Sequence, residues 1–509
     1  MTATFTPTPG TVRALFQNAD GSAIAITAPD RAAMSYDQLR GHVDGILRQL
    51  AARDIGPGDR VAIVLPNGPE MATAFLAVAS GLSAAPLNPG YKEAEFEFYL
   101  SDLKPKLVLV EPNSESPVIA AAGKLGIPVW EIQVQDGAPA GSFSLWEEEK
   151  EFSSPEVGHE ALVLHTSGTT SRPKVVPLTQ ANLFASGNNI SETLGLTPDD
   201  SCLNIMPLFH IHGLIAIVLS SMNAGSSVCC TPGFNAMKFL SWATDEKPTW
   251  YSGVPTMHQM ILTRAKRSPH VVEGLKFRFI RSSSASLPPA VFKELAETFK
   301  CPIIEAYGMT EATHQMASNP LPPGAQKPGF VGKAAGPEIC IMDQAGQVMA
   351  QGQEGEICIK GANVTPGYEN NEKANAESFT NGWFRTGDQG YLDEEGYLKI
   401  TGRIKEIINR GGEKVSPLEV DDILMEHPAV QQVVTFAVPH KMLGEEVGVA
   451  VVTAEGLSIT EKELQEYAEV HLAQFKVPKV VVFLDEIPKG ATGKMQRIGL
   501  AEKLGLGDS

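Results

Sequence analysis

The chain has 509 residues, 43% hydrophobic and 20% charged, with a formal net charge of −18. That length exceeds what one hydrophobic core supports, so at least two domains are expected. The acidic balance excludes a broad basic face for nucleic acid or an anionic membrane, yet leaves room for a locally basic pocket that takes an anion.

Met1 to Gly10 is rich in Thr and Pro, with no basic segment leading into an apolar run, so no secretory signal is read there. From Arg60 the chain alternates short apolar runs with helical patterns. Arg60–Leu65, Ala84–Leu87 and Leu107–Val110 read as strands, and Glu70–Gly81, Glu93–Leu103 and Ser116–Leu125 as helices. Repeated strand–helix–strand units imply a parallel sheet covered on both faces. A second set begins at Ala161, with strands near Ala161–His165 and Phe277–Ser282. The most apolar stretch, Gly213 to Cys230, is broken by Ser220, Ser221 and Asn223 and falls short of a membrane span. Pro320 to Gly367 is rich in Gly and Pro with a short strand at Glu356–Lys360, which suits a β-rich subdomain. After Gly402-Arg403-Ile404-Lys405 a compact unit follows: helix Pro417–Glu426, strands Val430–Val438 and Val447–Thr453, helix Glu461–Leu472. A domain boundary is therefore expected near residue 404, dividing 1–403 from 404–509. Six cysteines with no Cys-x-x-Cys pair read as reduced thiols, and the C-terminus is not a Ser-Lys-Leu address. Both suit a cytoplasmic enzyme. A monomer or small homo-oligomer is expected, a choice the sequence does not make.

The segment Thr166-Ser167-Gly168-Thr169-Thr170-Ser171-Arg172-Pro173-Lys174 follows an apolar strand. Backbone N–H groups and short hydroxyls can surround a polyphosphate, and a Lys brings a mobile positive charge. It is not a Walker A loop, because no second Gly precedes the Lys and no Ser or Thr follows it. Alone, the same composition also suits a polar surface turn.

Four downstream clusters decide between those readings. Tyr307-Gly308-Met309-Thr310-Glu311 follows the strand-like Ile303–Ala306 and sets an aromatic ring, a flexible Gly, a hydroxyl and a carboxylate at one strand end. Trp383-Phe384-Arg385-Thr386-Gly387-Asp388 places a carboxylate where it can accept from ribose hydroxyls. Gly402-Arg403-Ile404-Lys405-Glu406 lies at the boundary, and Pro488-Lys489-Gly490-Ala491-Thr492-Gly493-Lys494 ends in a Lys on a Gly loop.

In this order the five motifs resemble the adenylate-forming superfamily of acyl-CoA synthetases, luciferases and adenylation domains, over about Ala14 to Arg497. The resemblance implies an α/β fold: a large N-terminal domain of two doubly wound sheets plus a β-rich subdomain, and a small mobile α+β C-terminal domain. It implies ATP, Mg²⁺ and coenzyme A, the last as a substrate. Thr166, Ser167, Gly168, Thr169, Thr170 and Lys174 resemble the phosphate loop, and Tyr307 the residue beside adenine. Ser284, Glu305 and Ala306 fall within the implied nucleotide site. Thr310 resembles the α-phosphate contact, Glu311 the Mg²⁺ ligand, and Asp388 with Arg403 the ribose pair. Lys405 stands at the hinge position and Lys494 at that of the lysine needed for adenylation. Asn409-Arg410-Gly411-Gly412 matches the loop that approaches coenzyme A, although a Gly-Gly pair also suits a plain turn.

The family's acid pocket begins at His210 and His212. With Arg281, Ser282, Ser284 and His314 it reads as short and polar, a lining that would leave its groups unpaired around a fatty or coumaroyl chain. His165–Lys174, Arg281–Leu287 and Met309–His314 more closely resemble oxalate–CoA ligases, so oxalate is the expected acid. The alternatives are another short or aromatic acid, a non-CoA adenylate-forming protein, or an inactive adenylate binder. Val175 stands where the superfamily usually has Gly. If that position needs positive φ or close backbone approach, Val is strained there, and Val175→Gly should leave or improve ATP affinity.

Overall fold

The computed structural model describes residues 7–166, 173–488 and 495–507. Two largely parallel sheets carry the N-terminal part. The first has six strands among the described residues, in the order 129–131, 107–110, 60–64, 83–86, 160–165, 175–179. Only the last pairing is antiparallel. The second has nine, in the order 333–334, 314–318, 303–309, 279–282, 250–253, 201–204, 227–230, 24–27, 34–35. Its core is parallel, from 303–309 across to 24–27, and antiparallel pairs flank it at both ends.

Strands such as Leu107–Val110 (LVLV) are apolar at every position because helices or the other sheet cover both faces. The helix Pro69–Ala79 makes the same point. It touches strands of both sheets, and ten of its eleven residues are buried, so it is apolar all round rather than striped. The apolar run from Gly213, too short for a membrane span, forms a π-helix, His212–Leu219, with every residue buried. Helices with this wide hydrogen-bond spacing are uncommon and concentrate at functional sites.

Strands 338–342, 355–360, 383–392, 379–380 and 398–403 form the expected antiparallel β-rich subdomain. It is stitched to the nine-stranded sheet by reciprocal backbone bonds, Val331 N–H to Leu398 O and Leu398 N–H to Gly332 O. From residue 408 the chain builds two apolar cores of its own, around Ile408, Val433 and Leu464 and around Phe436, Ile487 and Leu500. Their sheet runs 413–415, 408–410, 444–453, 430–440, with 480–483 parallel to 444–453. Among the described residues few side-chain hydrogen bonds or ion pairs tie this unit to the rest: Ser416 Oγ donates to Thr401 O, Gln259 Nε2 donates to Gln431 O at 3.4 Å, and Arg267 pairs with Glu455 at 2.9 Å.

Candidate active site

The strand Glu160–His165 runs into the hydroxyl-rich loop, and Val175–Thr179 returns beside it. Two bonds close the loop's mouth: Thr166 N–H donates to Lys174 O at 2.9 Å, and Lys174 N–H donates to Thr166 Oγ1 at 3.0 Å. Ser167, Gly168, Thr169 and Thr170 lie outside the described residues, as does Lys494. Lys174 Nζ rests 4.1 Å from the centroid of the Tyr368 ring. Burial lowers its pKa against the pull of Glu311, and the positive charge of Lys405 lowers it further. The hinge candidate Lys405 therefore stands near Lys174, the lysine expected of the phosphate loop. Val175 opens a strand in extended backbone and is not among the residues with positive φ, so the left-handed strain expected of it is absent.

The strand Ile303–Met309 delivers the next group. Tyr307 is buried, and its hydroxyl donates to Asp388 Oδ2; Arg403 Nε meets Asp388 Oδ1 at 3.1 Å. Asp388 and Arg403 are direct partners across strands 383–392 and 398–403, which is why an aspartate after a Gly turn and an arginine near the domain boundary come together. Burial pushes the Tyr307 phenol well above its ordinary value, and the Asp388 charge adds to that push. Arg403 stays 55% exposed, its free edge available to a ligand.

Thr310–Ala312 form one 3₁₀ turn that buries Glu311. Tyr368 Oη donates to Glu311 Oε1 at 2.9 Å. Burial raises the Glu311 pKa, against hydrogen bonds from its own backbone and from Tyr368. Thr313 and His314 then follow with φ of 49° and 91°, left-handed backbone that costs a non-glycine residue about 1 kcal/mol or more. Gly308 owes its place to close approach rather than flexibility. A Cβ there would lie 2.1 Å from His314 O.

His212 stands at the centre of the group expected to line the acid pocket. Its ring is fully buried, with Nδ1 3.0 Å from Ser284 Oγ, Nε2 2.7 Å from Ser252 Oγ, and its centroid 5.0 Å from that of His314. His210 is half-buried at the edge, and its Nδ1 accepts from His212 N–H at 3.3 Å. Ser284 is half-buried too and sits at φ 72°. Arg281 does not reach open space. It is fully buried behind His212, with Nη1 3.4 Å from Nε2 of that ring and Nη2 donating to Gln315 Oε1 at 3.2 Å. Burial lowers its pKa to about 9, which leaves it charged at neutral pH.

Two expected residues face elsewhere. Side chains alternate along a strand, so Arg281 and Ser282 take opposite faces. Ser282 joins Ile280 on the face packed with Leu287 and Leu295, away from His212. The same alternation turns the Glu305 carboxyl beside Ile303, where Leu287 N–H donates to its Oε1 at 3.3 Å. Burial lifts Glu305 to about 8, and the charge of Asp422 from the C-terminal unit adds to this. Ala306 stays near the site through its backbone, its carbonyl accepting from Ser283 Oγ at 2.9 Å. Gly411 and Gly412 form the two-residue link between strands 408–410 and 413–415, both with positive φ, so the hairpin alone accounts for both glycines.

Ser252, Gln315 and Tyr368 belong to this region and were not singled out from sequence. Each acts through a partner at least 29 positions away, and no local pattern announces such a contact.

Residues 15–369 match the family described as AMP-binding enzyme, and 419–494 match its C-terminal domain. The chain is 46% identical to an oxalate–CoA ligase of Arabidopsis thaliana, across 93% of this chain and 96% of that protein. It is 43% identical to an oxalate–CoA ligase of Saccharomyces cerevisiae, across 87% and 86%. The o-succinylbenzoate coenzyme A synthetase of Bacillus subtilis, solved in complex with ATP and magnesium ion, superposes with a TM-score of 0.83 at 30% identity, covering 97% of this chain and 100% of that one.

Proposed function

We propose, on the premise that the chain belongs to the AMP-binding enzyme family, that it activates oxalate with ATP and transfers it to coenzyme A. It is an AMP-forming acid–CoA ligase that uses ATP and Mg²⁺. The observation that supports oxalate is the pocket wall. His212, Ser284 and His314 present polar atoms at short range, backed by a buried guanidinium, where a fatty chain would need apolar surface.

In the first half-reaction an oxalate oxygen attacks the α-phosphorus of ATP, and the bond to the β-phosphate oxygen breaks. We assign Tyr307 to the adenine side, Asp388 and Arg403 to the ribose, Thr310 to the α-phosphate and Lys174 to the phosphate loop. Their work is positioning and charge stabilisation, not covalent catalysis. Among the described residues no three His, Cys, Asp or Glu could hold a metal ion together. A Mg²⁺ that shares one carboxylate with nucleotide phosphates needs no such group, and the oxygens of Glu311 fit that role. Bound there, the ion supplies charge neutralisation for pyrophosphate departure.

In the second half-reaction the thiol of coenzyme A loses its proton, its sulfur attacks the acyl carbon, and the carbon–oxygen bond to AMP breaks. We place a boundary near residue 404, because the cores beyond it are built from residues 408 onward, and assign Lys405 as its hinge. Lys494 and the Gly411-Gly412 turn would then serve the two half-reactions in alternation, with His210 between the acid and thiol sides. All six cysteines are free thiols and suit the cytosol. No helix among the described residues is long and apolar enough to cross a membrane.

The test is pyrophosphate release across oxalate, malonate, acetate, coumarate and octanoate. Oxalate is expected to give the highest kcat/KM, and a signal from oxalate no greater than that from octanoate would sink the assignment.

A further inference from the structure

Behind the acid pocket four polar side chains from four elements meet with almost no access to water. Ser252 lies on strand 250–253, Arg281 on 279–282, His212 on the π-helix and Gln315 on 314–318, and each is fully buried. Arg281 forms no ion pair among the described residues, so a guanidinium has been taken out of water without a carboxylate to offset it. Such a charge persists only where hydrogen bonds and a function hold it.

The direction of each bond follows from the donors available. A guanidinium has only N–H groups. Its Nη1 points at Ser252 Oγ at 3.5 Å and at His212 Nε2 at 3.4 Å, so both must accept from it or turn their own protons away. Ser252 Oγ lies 2.7 Å from His212 Nε2. With Nε2 facing donors on two sides it carries no proton, and the hydroxyl of Ser252 donates to it. The imidazole is then neutral with its proton on Nδ1, which donates to Ser284 Oγ at 3.0 Å. Ser284, having accepted, turns its own O–H outward. Gln315 fixes the start of the chain. Its Nε2 donates to Thr193 Oγ1 at 3.2 Å and to Ala335 O at 3.1 Å, so only Oε1 is left for Arg281.

We propose that Ser252 and Gln315 are positioning residues of the acid site, aligning a one-way donor relay from Arg281 through Ser252 and His212 to the Ser284 hydroxyl, which reads the second carboxylate of a dicarboxylic acid. The relay delivers the polarity of a buried positive charge without exposing the charge itself, and hydrogen bonds in series polarise one another. A monocarboxylic acid offers no acceptor at that end. The left-handed backbone of Ser284 fits this reading, since strained φ clusters where a side chain must be aimed. The inference rests on the oxalate reading above, and its test separates the two.

AMP formation is measured with oxalate and with acetate for wild type, Ser252→Ala, Ser252→Thr and Gln315→Glu, with ATP KM measured alongside. Ser252→Ala breaks the relay, Ser252→Thr keeps its hydroxyl, and Gln315→Glu sets a carboxylate against Arg281 and cancels its charge. Ser252→Ala and Gln315→Glu are expected to raise oxalate KM by about tenfold or more, the scale of a hydrogen bond to a charged group, with ATP KM unchanged within about twofold. Ser252→Thr is expected to return oxalate KM to near the wild-type value. If wild type prefers oxalate while both disruptive variants keep its KM, the relay is overturned and the oxalate reading stands. Equal rises in oxalate and ATP KM also overturn it, because a merely structural role would move both. A wild type that uses acetate as well as oxalate overturns the oxalate reading and the relay with it.

Discussion

Tyr368 donates its hydroxyl to Glu311 at 2.9 Å while its ring carries the Lys174 ammonium 4.1 Å from the centroid. One side chain thus holds both the carboxylate assigned to Mg²⁺ and the lysine assigned to the phosphate loop. Tyr368→Phe keeps the ring and removes the O–H. KM for Mg-ATP is expected to rise by about tenfold, with the acid KM little changed. Pyrophosphate release titrated against MgCl₂ and against oxalate checks this, and an equal change in both would assign Tyr368 to general packing.

Glu305 makes stability depend on pH. Burial raises its pKa from 4.5 to about 8, so between those values the folded chain binds more protons than the unfolded one. Stability contributed by the protonated carboxyl is full below 4.5 and is lost as pH rises through 8. Asp422 of the C-terminal unit, raised to about 7 by its own burial, titrates in the same sense. Glu305→Gln removes one of the two. Its Tm should match that of wild type near pH 4.5 and exceed it at pH 9. A constant difference across that range would show that Glu305 does not titrate there.

Lys494→Ala separates the half-reactions assigned above. Pyrophosphate release with oxalate should fall by about two orders of magnitude or more, the scale of losing a charge aimed at the transition state. Thioester formation from supplied oxalyl-adenylate and coenzyme A should persist. Loss of both activities would remove Lys494 from a role specific to adenylation.

Val175→Gly tests the phosphate loop's frame. Val175 is extended and packs on the core of Val163, Leu87 and Phe96, so glycine should cost about 1–2 kcal/mol of stability and leave ATP KM unchanged. Markedly tighter ATP binding in the variant would show that the position prefers left-handed backbone.

Much of the scaffold was legible because its periodicities are strong. Helix Glu93–Leu103 and strand Leu107–Val110 have the bounds their patterns indicate, and the C-terminal helices and strands agree within a few residues. Tyr307, Asp388 and Arg403 were legible as a set because each sits in a distinctive local motif. Ser282 was misplaced because membership in a serine run says nothing about which face a strand turns to the pocket. Gln315 and Ser252 were invisible for a different reason. A buried polar residue is meaningful only beside its partner, and strand pairing decides that partner, not the neighbouring sequence: 250–253 beside 279–282 for Ser252, and 314–318 reached across 303–309 for Gln315.

The bare backbone at Gly308 has a wider consequence. It lets the strand bearing Tyr307 press against the carbonyl of His314, so the residue assigned to the adenine side and one assigned to the acid side share one point of contact. Under those assignments, recognition of the acid and grip on the nucleotide are not separately adjustable quantities. A substitution that reshapes residue 314 for a larger acid shifts the strand that seats the nucleotide ring, and any chain evolving toward a new acid must hold that contact fixed or accept weaker ATP binding as it changes.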